Sequence, residues 1–145
     1  MTLDHALSDT SDIREIIDLL AMERHPRAGW FAPHYSDSET KGRPKFSSIY
    51  YLLAGDEPVS FHKGDAIEVW HHYMGAAAQF VVTNRSRLHM TSIVGRDLAA
   101  GQRPQLLVPA YLWQSYRSLG AWTLLGCTAS PGFWPQATFV MDAEA

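Results

Sequence analysis

At 145 residues, 46% of them hydrophobic, the chain is long enough for one domain with a buried core and short for two. A formal charge of -3 without a basic stripe argues against nucleic acid as a partner, because proteins that grip phosphates gather Lys and Arg on one face. The lone Cys127 excludes an intrachain disulfide and fits a reducing, cytoplasmic setting, while no apolar run is long enough to span a bilayer and the N-terminus does not read as a signal peptide.

The first element in chain order is a helix over about 11–24. Ile13, Ile16, Ile17 and Leu20 fall on one helical face, Ser11 or Asp12 is placed to cap its start, and Pro26 disfavours a helical His25 at its end. The pattern then changes to strands and stays there. Trp30–Tyr35, Phe46–Ala54, Val59–His62, Ile67–Met74, Gln79–Thr83 and Leu88–Val94 are short runs rich in aromatic and β-branched residues. Gln105–Val108, Trp113–Arg117, Trp122–Thr128 and Thr138–Met141 follow. Gly-, Pro-, Asn- and Asp-containing breaks separate them. Many short strands at regular spacing predict an all-β sandwich or barrel, about 29–141, with one N-terminal α-helix in front and no second domain within 1–145.

Two segments resemble the paired motifs of the cupin superfamily. In His62-Lys63-Gly64-Asp65-Ala66-Ile67-Glu68 the first His and the Glu stand at the motif's spacing, and Gly75 follows where its glycine belongs; Gly64 occupies the second His position. Pro109-Ala110-Tyr111-Leu112-Trp113-Gln114 matches the frame of the second motif with Tyr and Gln substituted. Within the superfamily the chain resembles the fifth cupin family. The matching segments are His25-Pro26-x-x-Gly29, Ile49-Tyr50-Tyr51-Leu52-Leu53, Glu68-Val69-Trp70-His71, Val108-Pro109-x-x-x-Trp113-Gln114 and Leu125-Gly126-Cys127-Thr128-x-x-Pro131-Gly132-Phe133. The resemblance implies a cupin jelly-roll β-barrel, commonly dimeric, without implying an established reaction. Where that family usually reads His-Pro-Glu-Gly-Gly followed by Arg-Glu-Thr-Tyr, this chain carries Arg27-Ala28 and Ala32-Pro33-His34-Tyr35. Ile67 replaces the usual Asp before the Glu, and Tyr111 the usual Gly after Pro-Ala. If those positions line the pocket, the ligand is less polar than the family's common one, or differently charged.

Side chains two apart on a strand share a face, so Glu68, Trp70 and His72 point one way and the motif makes that way inward. Leu112, Gln114 and Tyr116 form the facing row, and His62 joins them. His62, Glu68 and Tyr116 are the candidate catalytic residues: an imidazole titrates near neutrality, Glu68 would orient its ring, and Tyr116 would donate a proton from another side. Trp70, His72, Gln114, Leu112 and Tyr35 are the candidate substrate-binding residues. For each the structural reading stands beside the functional one, since a strand Trp is often core and a His–Glu pair is often a structural hydrogen bond. His62 and Glu68, with Gln114 as a poor third ligand, form an incomplete metal set, so the expectation is an enzyme without a cofactor.

Three functions are consistent with these residues. The first is a metal-independent isomerase, epimerase or cyclase acting on a small, partly apolar metabolite. The second is a non-catalytic small-molecule-binding module, and the third a metal-dependent cupin oxygenase with a divalent metal at His62, Glu68 and Gln114. The expected partners are a small-molecule ligand and a second copy of the chain in a homodimer, with the segment up to about Tyr35 crossing between copies. Neither nucleic acid nor membrane is expected.

Overall fold

Alternation of inward and outward side chains along short strands builds two antiparallel sheets, which face one another across a single interior. The computed structural model describes residues 7–37, 42–134 and 137–140. In chain order the elements are α1 (Ile13–Leu19), β1 (Glu23–Arg24), β2 (Trp30–Ser36), β3 (Ser47–Ala54), β4 (Val59–Gly64), β5 (Ile67–Gly75) and β6 (Ala78–Thr83). These are followed by β7 (His89–Val94), a 3-10 turn (Leu98–Ala100), β8 (Gln105–Val108), β9 (Trp113–Ser118), β10 (Trp122–Ser130) and β11 (Thr138–Val140). One sheet runs β1-β2-β3-β10-β5-β8 and the other β11-β4-β9-β6-β7, a jelly-roll arrangement with one short helix at its N-terminal side. The expected strands are all present; Met141 lies outside the described residues.

The core divides according to the pleat of β3 and β10. Tyr51, Leu53, Leu125 and Cys127 point inward and pack with Trp70, Phe80, Val108 and Tyr116 between the sheets. Leu52, Leu124 and Trp122 point outward and are covered by Ile16 and Met22, with Ile13, Ile17 and Leu20 alongside. Thus α1 seals one outer face while the interior stays free for a cavity.

The helix is shorter than its apolar spacing suggests. Asp12 caps it, accepting from the Arg14 N–H at 2.8 Å, but Ala21 takes a left-handed φ of 51° and stops it well before Arg24. Glu23 and Arg24 instead pair with Phe31 and Trp30 as an edge strand. The Arg24 guanidinium lies 4.9 Å from the Trp30 ring centre and 2.8 Å from Glu57, contacts that a helical Arg24 would forgo. The N-terminal segment also docks on the barrel. Trp122 Nε1 donates to the Ser11 carbonyl at 2.7 Å, the Gly75 N–H donates to Asp9 at 2.9 Å, and Asp9 pairs with Arg96. Among the described residues, no helix is long and apolar enough to cross a membrane.

Candidate functional site

A cavity of about 340 Å³ opens between the sheets. Its walls come from β2 and β3 on one side, from β4, β5, β9 and β10 within, and from the β1–β2 connection at the mouth. That connection carries His25, Pro26 and Arg27 into the cavity because it is held at every point. Gly29 has φ +77°, and a Cβ there would lie 2.5 Å from the Leu52 carbonyl oxygen, so only glycine closes this turn without strain. The Gly29 N–H donates to Glu57 at 3.0 Å, the Tyr51 hydroxyl donates to the Ala28 carbonyl at 2.5 Å, and the Arg27 N–H donates to His25 Nδ1 at 3.2 Å.

Of the candidate residues, His62, Glu68, Tyr116, Trp70 and Tyr35 line this cavity. Tyr35 and Phe133, each about half exposed, stand at its rim. Gln114 does not reach it and serves from behind: its Oε1 accepts from Trp70 Nε1 at 3.1 Å, and its Nε2 donates to Glu68 Oε1. His72 shares the face of Glu68 and Trp70 but lies beyond the cavity, its Nε2 against the carbonyls of Gly75 at 3.2 Å and Ala76 at 3.1 Å. Leu112 precedes β9 and packs against the core. Neither His72 nor Leu112 lines the site, although strand alternation alone places both in the inward rows. The irregular pairing of β5 with β10 between Leu124 and Leu125, next to His72, marks where the inward row leaves the cavity.

The expected hydrogen bond between Glu68 and His62 is replaced by two others. His62 Nδ1 lies 3.0 Å from the Ser60 carbonyl, which can only accept, so Nδ1 carries the hydrogen and Nε2 keeps its lone pair. Glu68 is held by Gln114 instead. Their electrostatic situations also diverge. Burial, with the Arg27 charge added, lowers the His62 pKa to about 4, so the ring is neutral at pH 7. Burial raises the Glu68 pKa against the opposing effects of the Gln114 hydrogen bond and Arg27. Tyr116 and Cys127, both buried, are pushed well above their ordinary ranges by desolvation and stay protonated. His25, half-buried against Phe31 and Tyr51, is lowered to about 4 by burial and then by Arg27.

Arg27 is the residue that reading the sequence for catalytic types misses. It lines the cavity, and its charge acts on His25, Tyr51, His62, Glu68, Tyr116 and Cys127 alike. Its Nε is buried without a hydrogen-bond partner. The one signal for it in the sequence is its place in His25-Pro26-x-x-Gly29, where the resembling family carries Glu.

The groups present do not suit the metal that many cupin barrels hold. His62 offers one nitrogen, Gly64 has no side chain at the second His position, and both ends of the Gln114 amide are engaged by Trp70 and Glu68. A cation at Arg27 faces the same carboxylate. Among the described residues no three His, Cys, Asp or Glu side chains cluster as a metal-binding set. What the site can do with its own groups is bind an amphipathic molecule and exchange a proton with it.

Comparison with known proteins agrees with this architecture. The family model described as Cupin superfamily (DUF985) matches residues 14–140. A protein of Shewanella oneidensis has the same fold at a TM-score of 0.87 and 30% identity, over 93% of this chain and 87% of that one. A hypothetical protein from Leishmania major superposes at 0.82 with 19% identity, over 90% and 88%. Oxalate decarboxylase from Bacillus subtilis is similar at the level of the fold, with a TM-score of 0.64 and 15% identity, over 81% of this chain and 29% of that larger one. No curated protein matches the sequence. With a family model covering nearly the whole chain and a 30%-identical structure of the same shape, the chain belongs to the Cupin_5 family of the cupin superfamily.

Proposed function

We propose that this protein is a small-molecule enzyme of the non-redox, proton-transfer kind, an isomerase, epimerase or cyclase acting on a partly apolar metabolite in the barrel cavity. The observation that carries this reading is the pair His62 and Glu68, which line one cavity from the two different sheets, with their pKa values displaced in opposite directions. A carboxylate whose pKa is raised toward the working pH is a better proton acceptor than an exposed one, and the acid it becomes is still a usable donor. A neutral imidazole with its lone pair on Nε2 gives the reacting group a hydrogen-bond acceptor without adding charge. Glu68 therefore takes the proton-transfer role and His62 assists, with Tyr116 as a protonated donor. Gln114 fixes the carboxylate and, through the same amide, the Trp70 indole that walls the cavity.

The test uses solvent deuterium, because an enzyme that removes and returns a carbon-bound proton exchanges it with water. The protein is incubated in deuterated buffer with a small-molecule extract, and the mixture is compared by mass spectrometry with a protein-free control. A metabolite gaining one mass unit, or converting to an isomer, is expected. Glu68→Gln should reduce this by ~100-fold or more, in the range by which general acid–base groups act, and His62→Gln by less. Equal exchange in wild type and both variants would overturn the mechanism, and exchange by none of them would leave a binding module.

A further inference from the structure

We infer that Arg27 makes the cavity selective for a molecule that joins a carboxylate to an apolar body. This inference rests on the cavity being the ligand site and names the class of ligand it takes. Three observations carry it. Arg27 lines the cavity with a buried Nε that has no acceptor in the protein, and buried polar groups are ordinarily satisfied, so the missing partner is one the cavity receives from outside. The turn that presents Arg27 is anchored by Gly29, Glu57 and the Tyr51 hydroxyl, so the side chain's origin is fixed before any ligand arrives. Glu68, the carboxylate that lines the cavity with Arg27, accepts a hydrogen bond from Gln114 and makes none with Arg27.

The rest of the lining sets the other half of the ligand. Phe31, Pro33, Tyr35, Ile49 and Phe133 are apolar or aromatic, and they surround the cation with surface that a sugar phosphate would leave poorly matched. A single guanidinium also balances one negative charge. His25 and His62, the two imidazoles beside it, are neutral at pH 7 and add nothing to hold a dianion. The planar guanidinium suits the two oxygens of a carboxylate in a paired hydrogen-bonding geometry.

The probes are 2-naphthoate, 2-naphthamide and 2-naphthyl phosphate, which share one apolar body and differ at the polar group. Binding is measured by isothermal titration at pH 7.5 with the wild-type protein, Arg27→Gln and Arg27→Lys, with folding checked by circular dichroism. The wild type should prefer the carboxylate over the amide by at least ~10-fold, as a charge-assisted bond predicts. Arg27→Gln should erase the preference, and Arg27→Lys should retain part of it by keeping the charge without the fork. Equal binding of carboxylate and amide by the wild type, binding of neither, or tighter binding of the phosphate overturns the assignment. Should Arg27→Gln fail to fold, the wild-type comparison alone decides. The outcome is separable from the proton-transfer reading: deuterium exchange without carboxylate preference rejects this inference only, and carboxylate preference without exchange rejects only the other.

Discussion

Holding His62 neutral inside the barrel gives the fold an acid sensitivity that can be measured without a substrate. The ring is 4% exposed and its pKa falls from 6.5 to about 4, chiefly because burial penalises its charged form. The unfolded chain therefore binds a proton more readily than the folded one across the window between those values, so stability decreases as pH falls through it. At pH 5, about 97% of unfolded His62 is charged against roughly a tenth of the folded form, which corresponds to about 2 kcal/mol lost relative to pH 7.5. Urea unfolding followed by Trp fluorescence at pH 7.5 and pH 5 gives the loss for the wild type and for His62→Gln. The variant should lose about 2 kcal/mol less than the wild type, whatever its stability at pH 7.5. His25 shows the same kind of shift, and Glu68, with a raised pKa, acts in the opposite direction. Both remain in the variant, so their contributions cancel in the comparison to first order. Equal losses in the two proteins would refute the claim that His62 is buried neutral, as would a His62 NMR titration with a midpoint near 6.5.

Gln114→Leu leaves the buried Trp70 indole N–H without its acceptor and Glu68 without its donor, so it should destabilise by about 1–3 kcal/mol in the same assay; a neutral result would remove Gln114 from its positioning role. Tyr111 is largely exposed and holds φ at 69°, a backbone state that costs a side-chain-bearing residue roughly 1–2 kcal/mol, so Tyr111→Gly should stabilise slightly, by up to about 1 kcal/mol after the entropy of glycine is counted. Purified protein should contain no stoichiometric iron, manganese or zinc by elemental analysis, and a ratio near one per chain would reverse the reading of the donor set. We also expect a homodimer. Ile67, Tyr73 and Leu107 lie exposed on one outer face of β5 and β8, so Leu107→Glu should yield a monomer by light scattering, and a monomeric wild type would discount that face.

The fold was legible because its strands are short, rich in β-branched and aromatic residues, and punctuated by turn chemistry; Gln105–Val108 even carries the observed limits. The helix was over-read because apolar spacing continues to Leu20 while nothing in the local pattern announces the left-handed Ala21 or the pull of Glu57 on Arg24. In the site, period-two reasoning placed Glu68, Trp70 and Tyr116 together, since the inward rows of β5 and β9 meet from the two sheets across one interior. It failed for His72 and Leu112 because facing inward does not fix the depth at which a residue meets a cavity. Nor can alternation separate a residue that touches a ligand from one, such as Gln114, that positions its neighbours. Arg27 was legible only as a departure from the family's motif, because it lies on a connection, where neither helical nor strand periodicity says which way a side chain points.

That position gives the departures from the usual family pattern their meaning, because the structure sorts them by location. Ala32 is buried under α1, away from the cavity. Ile67 is exposed on the outer side of β5, and Tyr111 is exposed in the turn before β9, its N–H donating to the Gly64 carbonyl at 2.8 Å. None of these three can tune a ligand directly. Only Arg27 and Pro33 line the cavity. Both replace what is usually Glu, so two acidic positions at the mouth have become one cation and one rigid apolar ring. Near a pocket whose remaining acid is Glu68, that exchange moves the local charge by three units without touching His62, Glu68 or the Gln114 amide behind them. A ligand recognised by two carboxylates at the mouth would be repelled here, and one carrying a carboxylate itself would be drawn in. The proton-handling groups and the ligand-selecting groups thus sit on different elements, β4, β5 and β9 for the first and the β1–β2 connection with β2 for the second. Restoring Arg27→Glu and Pro33→Glu together should therefore reverse the preference between 2-naphthoate and 2-naphthamide while leaving the tautomer of His62 unchanged by NMR. A preference that survives the double substitution would show that selection resides in the barrel wall rather than at its mouth.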